Sequence, residues 1–203
     1  WNLGTRSRPN NVYIYYSRLD VGANRVNLAI IARRMASEVF VIDSGSAVLT
    51  SRPAIGIQID NDAFFSIHAL SSGGSDSLRL IRNIFEFFNT PERQHINWMA
   101  VGDFNRSPGR MQEALNEEPG LSNATLIVAP TEPTHRSGNV LWGTDYFCIE
   151  RKKKIWVEKM RWGFVWWGLP HFLLGRVMQK VKWAKMVENG QFLQYFLHRF
   201  EQV

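Results

Sequence analysis

"PAIGIQIDNDAFFSIHALSSGG", residues 53–74, holds two strand-like runs and the loop that follows them. Ile55, Ile57 and Ile59 alternate along the first run, "DND" supplies a turn, and Phe64 to Leu70 return, so the stretch predicts a β-hairpin. His68 falls near the end of the second run, just before the Gly/Ser loop. In "SDSLRLIRNIFEFFN", which comes next, Ser75 is available as an N-cap. Leu78, Ile81, Ile84, Phe85 and Phe88 recur at spacings of three and four, the signature of an amphipathic helix. "INWMAVG", residues 96–102, then reads as a buried strand.

Outward from this centre the same grammar continues. "NVYIYYSRLD", "RVNLAIIARR" and "EVFVIDSG" are short β-branched or aromatic runs that predict strands. "SPGRMQEALNEEPG" predicts a shorter helix closed by Pro119-Gly120, and "TLIVAP" another strand. Strands dominate residues 10–130, many joined as hairpins, with helices between them. That order favours an α+β arrangement of stacked mixed sheets with helices outside over a strictly alternating parallel fold.

The chain has 203 residues, enough for one domain with a sizeable core. Its single cysteine, Cys148, excludes an internal disulfide framework without fixing a compartment. The most apolar stretch, "WGFVWWGLPHFLLG", is interrupted by Pro170 and His171 and is too short for a membrane span of ~20 residues. No signal peptide opens the chain, and "WNLGTRSRPNN" reads like the middle of a protein, so a preceding segment is expected. The net charge of +6 is unevenly placed: eleven of the 24 Lys/Arg but three of the 18 Asp/Glu lie in residues 151–203. After about residue 146 the style changes; five of the eight Trp fall there, with imperfect helical periodicity. This segment reads as a basic amphipathic helical tail, or as a stretch unrelated to the preceding fold.

"MAVGDFNRSPGR", residues 99–110, places Asp103 and Asn105 where an apolar strand stops. Positions i and i+2 share a face, so a carboxylate suited to Mg²⁺ and an amide suited to a phosphate oxygen can aim at one point. The competing reading is an Asx-turn in which Asp103 caps the loop before the next helix. An imidazole at His68 can protonate a leaving oxygen, or can simply be a half-buried strand histidine bonded to a carbonyl. Arg25 and Arg52 each border a strand and offer forked donors that match phosphate, although most arginines are solvated surface charges. In "PTEPTHRSGNVL", residues 130–141, the side chains His135, Arg136 and Asn139 stand in a loop where they can meet a nucleic-acid backbone.

The segments "HALSSGGSDSLRLIRNIF", "VGDFNRSP" and "APTEPTHRSGN" follow one another in that order, and "WNLGTRSRPNNVYIYYSRLDVGANRVNLAI" continues into "SRPAIGI". Over roughly residues 1–141 the chain resembles the B subunits of bacterial cytolethal distending toxins, members of the DNase I-like endonuclease/exonuclease/phosphatase superfamily. The resemblance implies a four-layer sandwich of two mixed β-sheets flanked by helices. It also implies Mg²⁺-dependent hydrolysis of DNA phosphodiesters, with a phosphoinositide phosphatase activity as the alternative. The implied setting is a secreted toxin acting on DNA in the host-cell nucleus, delivered by lectin-like partner subunits of the A and C type.

Carried over by motif, His68 resembles the histidine acting at the scissile phosphate, and Asp103 and Asn105 the Asp-x-Asn pair at the metal and phosphate. Arg25 and Arg52 resemble phosphate-contacting arginines, and His135, Arg136 and Asn139 lie on the substrate side. Asp145-Tyr146 matches the family's Asp-Tyr with a three-residue insertion, which adds Asp145 to the catalytic set.

Three departures accompany the resemblance. The family's early metal-binding glutamate has no counterpart here, and Trp1-Asn2 is a decoy for its first motif because the context differs. Its terminal Ser-Asp-His is also missing; "LPHFLLG" matches only by coincidence. The expectation is therefore a partial DNase I-like domain over 1–146, a basic Trp-rich tail over 147–203, and impaired catalysis. A binding protein that uses the basic tail on nucleic acid or membrane is the alternative from another class.

Overall fold

The computed structural model describes residues 1–17, 28–48, 51–129, 135–137, 140–143, 145–150, 181–187 and 192–197. The chain divides into two compact units, Trp1–Ala36 with Ile155–Val203, and Ser37–Lys154.

The second unit is built on a six-stranded sheet. Its strands are β3 (Glu38–Ile42), β4 (Ala54–Ile59), β5 (Asp62–His68), β6 (Asn97–Asp103), β7 (Thr125–Val128) and β10 (Asp145–Glu150), in the order β3-β4-β5-β6-β10-β7. The hairpin is present as expected: Ile59 pairs with Asp62, leaving Asp60 and Asn61 as the turn, and Asp60 takes the left-handed φ of 57° that such a turn requires. β5 and β6 are parallel, which makes the sheet mixed and demands a crossover between them. That crossover carries α1 (Ser77–Phe88).

The interiors of β5 and β6 are buried residue after residue, as expected of central strands rather than of a sheet with one wet face. Leu80, Ile81 and Ile84 of α1 pack with Phe65, Ile67, Trp98 and Phe104 in one core. Each such fully buried side chain contributes about 1.5–3 kcal/mol by leaving water. Gly56 stands opposite Phe65, and a Cβ there would come within 2.4 Å of the Phe65 ring, so glycine lets that ring lie across β4. The edge strand β3 is pinned at its start: Arg93 pairs with Glu38 at 3.0 Å and lies 4.4 Å from the centroid of Phe87.

Several helix boundaries differ from the sequence reading. The N-cap of α1 is Asp76 rather than Ser75, and its carboxylate makes no capping bond because tertiary partners occupy it. Pro119-Gly120 does not merely end α2 (Pro108–Asn116); Pro119 opens α3 (Pro119–Ala124), where its missing N–H costs nothing. Ser107 caps α2 by accepting from the Arg110 N–H. Part of the 130–141 segment read as a loop is a two-stranded ribbon of β8 (His135–Ser137) and β9 (Val140–Trp142).

The first unit holds a four-stranded antiparallel sheet in the order β1-β2-β12-β11, from β1 (Tyr13–Ser17), β2 (Leu28–Ala32), β11 (Val181–Val187) and β12 (Phe192–Leu197). Central β2 is buried throughout, whereas edge strand β1 exposes Tyr13, Ile14 and Tyr16. The described part of the tail is thus β-structure, not the helix its periodicity suggested. β-branched and aromatic residues favour strands, and Asn189-Gly190 between the two runs is a strong hairpin signal. Asn2 is spoken for locally: its Oδ1 accepts from the N–H groups of Gly4 at 2.9 Å and Asn10 at 2.8 Å. No helix among the described residues is long and apolar enough to cross a membrane.

Candidate active site

The carboxyl ends of β5 and β6 lie side by side because the two strands are parallel, and such ends are where open sheets present side chains to ligands. His68 ends β5 and Asp103 ends β6, and the two are register partners. On the other side of β6, Asp145 of β10 stands opposite Asp103. One row across three neighbouring strands therefore carries His68, Asp103 and Asp145.

His68 Nε2 lies 3.9 Å from Asp103 Oδ2, with both side chains partly exposed. That spacing permits electrostatic attraction but exceeds a hydrogen bond. The other oxygen, Oδ1, accepts from the Asn105 N–H at 2.8 Å, an Asx-turn. The Asx-turn expected of Asp103 is made by Oδ1, while Oδ2 faces His68. Between the two polar residues, Phe104 is completely buried and anchors the turn in the core. Alternation explains the Asp-Phe-Asn triplet: the ring points inward and its neighbours do not.

Asn105 adopts φ 48°, a left-handed conformation that asparagine tolerates, and its Nδ2 donates to the Ala69 carbonyl at 2.9 Å. The Ala69 N–H donates to the Asp103 carbonyl, so the turn after β6 is laced to the chain leaving β5. Gly74 closes the arrangement with φ +59°, and a Cβ there would fall 2.0 Å from the Phe104 carbonyl oxygen. Gly74→Ala is expected to cost on the order of 3 kcal/mol, combining left-handed strain with a backbone clash. Gly73 has φ +71° but nothing within 4 Å of such a Cβ. Gly73→Ala should therefore cost only the strain, about 1–2 kcal/mol. Thermal unfolding of the two variants side by side checks this ranking.

Arg52 approaches from the loop before β4, its Nη1 3.4 Å from the His68 carbonyl. Burial pulls its guanidinium below the ordinary value, and the charges of Asp76 and Asp103 offset part of that shift. It stays protonated. Its Nε is buried and has no hydrogen-bond partner among the described residues. A partly desolvated guanidinium next to the His68 carbonyl suits an anion.

Arg25 and Asn139 lie outside the described residues. The backbone of His135 and Arg136 is in β8. Sequence reasoning missed Asp76, Ser51 and Ser44, polar residues that pack behind Arg52. The available signal was the doublet Asp76-Ser77 at a helix start, which competes with Ser75 for the cap. Cys148 on β10 is buried, and burial pushes its thiol well up, which suits a packing role.

Among the described residues no group of three or more His, Cys, Asp or Glu side chains gathers as a metal cage. Mg²⁺ does not need one, since it retains waters and takes one or two carboxylates together with phosphate oxygens. Asp103 Oδ2, a partly exposed hard oxygen donor, fits that requirement.

No protein-family model matches the chain. It is 47% identical over 149 residues to a homolog of the cytolethal distending toxin B subunit from Salmonella typhi, covering 73% of this chain and 53% of that protein. It is 40% identical over 144 residues to the B subunit of the Escherichia coli cytolethal distending toxin, covering 70% and 52%. The chain thus spans about half the length of the curated relatives it matches. Among solved structures, the Haemophilus ducreyi cytolethal distending toxin aligns with a TM-score of 0.70 and 48% identity over 98% of this chain and 72% of its own. The α+β, DNase I-like class expected from the resemblance stands. On its identity to these relatives and its structural match, the chain belongs to the family of cytolethal distending toxin B subunits.

Proposed function

We propose that this chain is the DNA-cleaving component of a bacterial toxin and hydrolyses phosphodiester bonds with Mg²⁺. The observation that carries the reading is the pairing of His68 and Asp103 at the carboxyl ends of two parallel strands, 3.9 Å apart. Phosphodiester cleavage needs charge neutralised on the phosphoryl oxygens, an aligned nucleophile and a proton for the departing oxygen. Arg52 offers a positive charge that offsets charge on a phosphoryl oxygen, and Asn105 holds the adjacent turn. His68 supplies the proton to the leaving oxygen. Asp103, with Asp145 at the neighbouring register position, would hold Mg²⁺, which supplies charge neutralisation and a more acidic bound water. Arg25, His135, Arg136 and Asn139 would extend the contact along the DNA backbone. In this reading the toxin is secreted, enters the host nucleus and travels with lectin-like partner subunits of the A and C type.

The expected impairment makes weak metal affinity and slow turnover part of this proposal. Supercoiled plasmid incubated with the purified chain is expected to be nicked slowly at millimolar Mg²⁺, and EDTA is expected to stop the reaction. Nicking that persists in EDTA overturns the proposal. So does a plasmid no more nicked than in a protein-free control.

A further inference from the structure

Asp76 is 3% exposed at the start of α1, yet it caps nothing. Its Oδ1 accepts from the Leu70 N–H at 2.8 Å, two residues beyond His68. Its Oδ2 accepts from the Ser51 hydroxyl, the residue immediately before Arg52. Ser51 also bonds the hydroxyl of buried Ser44 at 2.7 Å. A buried carboxylate is costly unless its oxygens are satisfied, and here each oxygen is bound to a different one of the two loops that carry the phosphate-site residues. The Leu70 bond closes the short connection between β5 and α1, whereas the Ser51 bond exists only when the chain before β4 comes to the start of α1.

We propose that Asp76 is a positioning residue that sets Arg52 against His68 by tying Ser51 and Leu70 to the amino end of α1. This rests on the phosphate-site reading above for its purpose, but not for its test. Asp76→Asn can keep both links, its carbonyl accepting from Leu70 and its amide donating to Ser51, while losing the charge. Asp76→Ala loses both links. Ser51→Ala loses only the one to the Arg52 loop and covers the case in which Asp76→Ala fails to fold.

The first readout is ligand-free: the Arg52 Nε–H cross-peak in a ¹H–¹⁵N spectrum of the 203-residue chain, together with exchange of the Leu70 amide. The wild type and Asp76→Asn are expected to show a dispersed Arg52 signal and a protected Leu70 amide. In Asp76→Ala the Arg52 signal collapses to the solvent-averaged position and Leu70 loses protection at least tenfold, with β5–β6 amides still protected. In Ser51→Ala the Arg52 signal collapses while Leu70 stays protected. An Arg52 signal unchanged in Ser51→Ala overturns the proposal, as does failure of Asp76→Asn to retain what Asp76→Ala loses.

Inorganic phosphate is the second readout, expected to bind at least tenfold more weakly to Ser51→Ala than to wild type. If phosphate leaves the wild-type Arg52 signal unmoved while the variants behave as stated, the phosphate-site reading fails and the positioning role survives. Tighter phosphate binding by both Asp76→Asn and Ser51→Ala would make Asp76 a mere electrostatic brake on Arg52, and would also overturn the proposal.

Discussion

Asp103→Asn is expected to lower Mg²⁺-dependent plasmid nicking by about 10²–10⁴-fold while the chain stays folded, the range typical for one member of a catalytic group. The substitution is isosteric, so the amide oxygen can take over the role of Oδ1 and still accept from the Asn105 N–H. The turn therefore survives. What disappears is the charge on Oδ2, the oxygen that faces His68 and is available to a hard cation. The measurement is nicking rate against Mg²⁺ concentration, with thermal unfolding run in parallel. His68→Ala should produce a loss in the same range that added Mg²⁺ does not relieve, because it removes the proton donor rather than the metal ligand. An Asp103→Asn protein that nicks at the wild-type rate would show that the carboxylate serves only the turn.

Phe104→Ala is expected to destabilise the Ser37–Lys154 unit by about 3–5 kcal/mol, the usual cost of truncating a fully buried phenylalanine. The ring belongs to the same core as Phe65, Leu80, Ile84 and Met111, so its loss leaves a void between the sheet and α1 and α2. Amide exchange along the β5–β6 ladder reports on this unit specifically and should accelerate in step with the loss. Phe104→Leu should recover most of the stability, since it refills most of the volume. The two polar residues flanking the ring depend on it for their height, so activity should fall further than the folded fraction alone explains.

The hairpin of β4 and β5 is legible because three isoleucines alternate on one side of a turn that tolerates left-handed backbone. The β6 strand and the α1 face are legible for the same reason, a period strong enough to survive tertiary context. The convergence of His68 and Asp103 is not legible from period or composition. It depends on the parallel pairing of strands that a helix separates, and only the order of motifs points to it.

The cap of α1 is easily misread because Ser75 and Asp76 are equally competent locally; Asp76 takes the position while tertiary partners, Ser51 among them, draw its carboxylate away from capping. The strands of the tail are hidden because lysines interrupt "VKWAKMV", leaving neither a clean period of two nor one of 3.6. The Asn189-Gly190 doublet is the clearer signal there. Asp103 resists a single answer because its two oxygens face different partners, the Asn105 N–H and the His68 ring.

The parallel pairing of β5 with β6 also bears on how the molecule matures. The β4–β5 ribbon can zip up by itself, yet it brings His68 no acidic neighbour, since Asp103 lies beyond all of α1 and its two loops. Closing that long excursion is the entropically demanding part of assembly. The meeting of His68 with Asp103 and topological completion thus arrive in a single event.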